Sequence, residues 1–177
     1  MSDAGELSAT PADLEPATTP PWLSVGLAAG TGTLAAAVLT LGSELAGAVG
    51  LLAVAVLLAA LAAGSTRLCS LAAAGFVLAV VTAGATGTTP APIVAGTVLA
   101  VSAWDTADHG IGLGRQVGHG AATRRNELVH AVGSLAIGGA AGGVAFSGYL
   151  AAAGGQPVTA LVFLLFGGIA LLAALGT

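Results

Sequence analysis

From Trp22 to Leu175 the sequence is a succession of apolar runs of about twenty residues, each ended by a short polar break. This spacing limits the fold more than any motif does. A helix needs about 20 apolar residues to cross roughly 30 Å of hydrocarbon. Six runs have that length: about 22–41, 45–63, 68–84, 87–104, 128–152 and 158–175. The breaks are Ser43-Glu44, Ser65-Thr66-Arg67, TGTTPAP at 86–92, a polar segment over 105–127, and GGQP at 154–157. All seven prolines lie at the N-terminus or at these breaks, where a missing N–H costs least. The expected fold is all-α, an integral membrane bundle of six transmembrane helices.

Composition agrees with this. The 177 residues are 56% hydrophobic and only 7% charged, against about 25% charged for a soluble domain. One cysteine, Cys69, leaves no internal disulfide to form. The four basic residues are Arg67, Arg115, Arg124 and Arg125, too few for a nucleic-acid footprint. The implied partner is the lipid bilayer, with other membrane or cytoplasmic proteins as further candidates. Residues 1–21 hold four prolines, four acids and no apolar run, and are expected to be a disordered acidic tail. Its acidic start does not match the basic n-region of a signal peptide.

Arginine placement gives an orientation. With six spans, Arg67 falls in the second-to-third loop, and Arg115, Arg124 and Arg125 in the fourth-to-fifth loop, on the side of both termini. The positive-inside rule makes that side the cytoplasmic face of the plasma membrane. Trp22 and Trp104 are expected at the same interface, and Tyr149 near the opposite one. Small residues are expected to pack the spans: Gly26 and Gly30 in the first, and Gly139, Gly143 and Ser147 in the fifth, with Gly138 and Gly142 beside them.

The segment DTADHGIGLGRQVGHGAATRRNELVH, 105–130, holds all three histidines and six of the twelve charged residues. Its glycines do not form a nucleotide loop. Arg115 stands where the third glycine of GxGxxG belongs, and GxxxxGK[ST] needs a lysine the chain lacks. No cofactor is expected. Asp105 and His109 are spaced i, i+4 with Asp108 beside them, and Glu127 and His130 are spaced i, i+3. Each pair shares a helix face, and two such pairs resemble in spacing the ligand sets of carboxylate-bridged bundles. These five residues are the candidate metal ligands. Arg115, Arg124 and Arg125 are candidates for contact with an anionic lipid or a partner. Thr123 suits an N-cap for the fifth span, with Arg124 and Glu127 spaced to pair.

Serine catalysis fails on geometry. AFSG at 145–148 and HAVGS at 130–134 are similar to rhomboid-type elements, yet Ser147 and His130 lie on one span about 25 Å apart. The spans hold essentially no ionisable residue, which disfavours ion-coupled transport and leaves only a path for an uncharged solute.

WDTADHGIGLGRQVG followed by TRRNELVHAVGS resembles a family of small, uncharacterised multi-span membrane proteins of halophilic archaea. The motif covers about 104–134, and the rest matches in hydropathy only. The resemblance implies an accessory membrane role at the cell surface and transfers no catalytic residue. The lysine-free, acidic composition suits it. The leading expectation is a non-enzymatic membrane component that docks a partner or anionic lipid through 105–127. The alternatives are a metal-dependent membrane enzyme and a transporter or channel for an uncharged solute.

Overall fold

The computed structural model describes residues 20–117 and 124–152, and it places five helices there. They are α1 (Trp22–Thr40), α2 (Glu44–Ala63), α3 (Thr66–Ala85), α4 (Pro90–Val117) and α5 (Arg124–Ala152). The polar breaks do local work. The Ser43 hydroxyl accepts the Ala46 N–H at 3.3 Å and caps α2, and Ser65 does the same for Leu68 at 3.4 Å on α3. Gly64 ends α2 in the left-handed region, φ 56 and ψ 33, which lets the Ser65 N–H reach back to the Ala60 carbonyl at 2.9 Å. Pro90 opens α4, where its missing N–H would be unpaired in any case.

Short turns make successive helices antiparallel. α1, α2, α3 and α4 pack in a closed ring, each against the next and α4 back against α1, while α5 lies outside the ring along α4. The ring's interior is built of small side chains, with Ala28, Ala35, Ala36, Ala53, Ala72 and Ala103 buried around Leu57, Phe76 and Ile111. The large side chains point outward: Leu52 is 67% exposed, Ile137 74% and Val144 75%. Exposed apolar area of this extent would aggregate in water, whereas in lipid it is the ordinary outer face. α1, α2, α3 and α5 are each long and apolar enough to cross a membrane.

Three expectations change. Among the described residues, which hold five of the six expected runs, four helices are membrane-compatible. The run 158–175 lies outside the described residues, as do the tail 1–19 and Thr123. The run 87–104 belongs to a longer, less apolar helix. α4 continues thirteen residues past Trp104 to Val117, so 105–117 is helix and not loop. Its buried positions explain why: Ala100, Ala103, Ala107, Ile111 and Gly114 recur every three or four residues, so one face stays in the core beyond the last apolar run. Trp104 consequently lies about 9 Å deeper along α4 than Gly110, which packs level with Ser24 in the first turn of α1.

The glycines in close contact can be read among the described residues. Gly26, Gly30, Gly139 and Gly143 meet nothing within 4 Å among the described residues, and Ser147 is exposed. Among these residues close approach is made by Gly50, Gly110 and Gly142, the last standing beside Gly139 and Gly143 in α5. A Cβ on Gly50 would lie 3.1 Å from that of Ala36, one on Gly110 would lie 2.7 Å from that of Ser24, and one on Gly142 would lie 2.8 Å from Val98 Cγ2. A shift of one residue turns a helix face by about 100°, so Gly138 and Gly142 face α4 where Gly139 and Gly143 do not. Gly50→Leu is expected to cost about 1–3 kcal/mol through overpacking, and Gly26→Ala to be neutral or slightly stabilising. Unfolding by denaturing detergent in mixed micelles checks both.

Candidate functional site: a polar cluster at one end of the bundle

The two spaced pairs meet. His130 Nε2 on α5 lies 2.9 Å from Asp105 Oδ2 on α4, and the His109 and His130 rings stack with centroids 3.9 Å apart and planes 11° from parallel. The Asp105–His130 contact is a close N···O approach. The ring N–H is not aligned with the oxygen, so Nε2 of His130 has no hydrogen bond of good geometry. The side chains keep 30% and 38% exposure, at which such a pair contributes about 0–1 kcal/mol.

Glu127 holds the strongest contact of the cluster. It is 3% exposed, and its Oε2 accepts the backbone N–H of Ser24 at 2.8 Å and the Ser24 hydroxyl at 2.7 Å. Ser24 is the third residue of α1, whose first N–H groups have no partner within their own helix. Pro21, which precedes the helix, makes no side-chain cap. A carboxylate from a helix 103 residues away in sequence supplies it, and its charge complements the positive end of the α1 dipole. Gly110 makes room, because its bare Cα lets α4 pass directly beside Ser24.

Arg115 has a matching role at the adjacent corner. Its Nη2 donates to the Gly64 carbonyl at 2.7 Å, so the last turn of α4 caps the C-terminal end of α2. The other two candidate arginines, Arg124 and Arg125, are exposed on the first turn of α5, and Arg67 is exposed on the first turn of α3. All four arginines thus stand at the end of the bundle that carries Glu127.

Four of the five candidate metal ligands, Asp105, His109, Glu127 and His130, come together, while Asp108 is exposed. Near-parallel stacked imidazoles direct their in-plane lone pairs side by side and not toward one point. Among the described residues no group of three or more histidine, cysteine or acidic side chains is arranged to hold a metal ion. Three buried polar atoms here have no hydrogen-bond partner among the described residues, His109 Nε2, His130 Nε2 and, one turn earlier on α4, Ser102 Oγ. Ser147 lies on the same continuous helix as His130, which excludes their pairing.

Sequence reasoning missed Ser24, Gly110 and Gly64. One signal was available for Ser24: α1 begins Pro-Pro-Trp-Leu-Ser, with no capping side chain at Pro21, so an external acceptor was needed.

Small side chains inside, large ones outside and a polar, arginine-bearing end define a polytopic helical membrane protein. The chain belongs to DUF7519, a family of unknown function that matches residues 18–172. Comparison with curated proteins and with solved structures gives no match.

Glu127→Ala is expected to destabilise the fold by about 2–3 kcal/mol, since it leaves the Ser24 N–H unpaired at a buried site. Glu127→Gln keeps an acceptor and should lose less, and Asp105→Asn should cost under about 1 kcal/mol. A double-mutant cycle of Glu127→Ala with Ser24→Ala, read by detergent unfolding, checks the coupling.

Proposed function

We propose that the chain is a non-enzymatic component of the plasma membrane that docks an anionic lipid or a partner at its cytoplasmic end. Both termini lie on that side, and 158–175 forms a further span. One observation supports this reading: Asp105, His109 and His130 face one another and Glu127 faces Ser24, whereas Arg124 and Arg125 face outward. Two cations at a helix N-terminus oppose the dipole, so helix stability is not what places them there. A phosphate-bearing surface is what they suit. Arg115, in part committed to Gly64, contributes less to that surface than its position in the sequence implies.

Arginines near an anionic leaflet contribute about 1 kcal/mol each. Replacing both, in Arg124→Gln/Arg125→Gln, should reduce retained anionic phospholipid about 30-fold relative to zwitterionic lipid in gently solubilised protein. Unchanged retention by lipid mass spectrometry would sink the lipid form of the proposal. The orientation has its own check: a cysteine at position 120, in a Cys69→Ala background, should react with impermeant maleimide only from the cytoplasmic side. Labelling from outside intact cells would reverse the topology.

A second reading, a metal-dependent membrane enzyme on Asp105, Asp108, His109, Glu127 and His130, rests on the spacing of these residues in the sequence and on four of them lying at one end of the bundle, though not in an arrangement that holds a metal ion. Stoichiometric metal in the purified protein, lost in His130→Ala, would favour it over docking.

A further inference from the structure

Outside the polar end, α4 and α5 enclose an open apolar groove of about 460 Å³, lined by Val94, Val98 and Leu99 on one side and Gly139, Gly143 and Phe146 on the other. Its glycines are distinctive. Gly138 and Gly142, next to them in sequence, already pack against Val98 and Val94, while Gly139 and Gly143 have nothing among the described residues within 4 Å of where a Cβ would stand. Each glycine in a helix interior costs about 0.5–1 kcal/mol relative to alanine. A second pair facing open space gains nothing from α4, and a glycine floor lets another backbone approach closely. α5 is also the least covered of the four membrane-compatible helices among the described residues: 11% of its apolar stretch is buried, against 28–44% for α1, α2 and α3.

We propose that this groove seats the chain's own C-terminal apolar segment, Val158–Leu175. The inference rests on the reading of that segment as a span. Three observations select it as occupant. It is eighteen residues long with no charged residue, and as a helix it would be about 27 Å, enough to run the length of the groove. It is joined to the end of α5 by only Ala153–Pro157, five residues that reach at most about 18 Å. It must therefore start near the end of α5 where Phe146 closes the groove, about 9 Å before Ala152. Running back along α5, it brings the bulky stretch Leu161–Phe166 opposite Phe146 and Gly143, large side chains against a small-residue floor. A tether this short holds the segment at millimolar effective concentration, ahead of a second copy of the chain.

Disulfide cross-linking in native membranes tests this. In a Cys69→Ala background, Gly143→Cys is combined in turn with cysteine at Phe163, Leu164, Leu165, Phe166, Gly167 and Gly168. Gly143 has no neighbour among the described residues within 4 Å of a Cβ, so the substitution fits, and Gly139→Cys serves as a second anchor. The expected result is an intrachain cross-link at monomer mass, in more than half of the molecules, at positions three or four apart. A dimer formed by Gly143→Cys alone would overturn the proposal and seat a second copy in the groove. No cross-link at any position, with the segment still shielded from water-soluble maleimide on both sides, would overturn the docking and leave the span. Labelling of the segment by that maleimide would overturn the span itself.

Discussion

A carboxylate buried at the end of a bundle is costly unless it is fully engaged, and Glu127 is engaged by the first turn of another helix. Its two bonds to Ser24 satisfy an N–H that α1 cannot satisfy itself, and they join α5 to a ring that otherwise touches it chiefly through α4. Much of the remaining cluster follows from this placement. With Glu127 turned inward, His130, one turn along α5, comes over His109 and beside Asp105. Gly110 is needed where α4 crosses Ser24, because any larger residue would push the two helices apart.

The rest of the bundle is held by a different force. Lipid is as apolar as leucine, so burying large side chains brings little gain, and helices associate by close backbone approach. The alanine interior, the outward leucines and valines, and the glycines at helix crossings are three results of that one condition. Polar groups are then concentrated at one end, where they fasten helix termini. Glu127 does so for α1 and Arg115 for α2, each with the charge that the local dipole favours.

The same arrangement changes the meaning of the polar segment. As a loop it would present its acids, histidines and arginines alike to a partner. As the last turns of α4 and the first of α5, its described residues turn Asp105, His109 and His130 toward one another and Glu127 toward Ser24, while Arg124, Arg125 and Asp108 face outward. Membership of a family of unknown function assigns no activity to this end. The physical division between fastened and outward-facing side chains is the basis of the docking role proposed above.

Membrane character, the helix starts at Ser43 and Ser65, and the gathering of arginines at one end were all legible in the sequence, because each depends on residues close together in the chain. The i, i+4 and i, i+3 spacings likewise put Asp105 with His109 and Glu127 with His130 on shared faces. The glycine-rich stretch after Trp104 concealed the continuation of α4, since its 100–103–107–111 core face is made of small residues that barely register as apolar. Local spacing says which residues share a face, and it does not say which way the face points. Only the closed ring decided that. It set the rotation of α5, which put Gly138 and Gly142 against α4 and left Gly139 and Gly143 open, and it carried Glu127 across 103 residues to the unpaired N–H of Ser24.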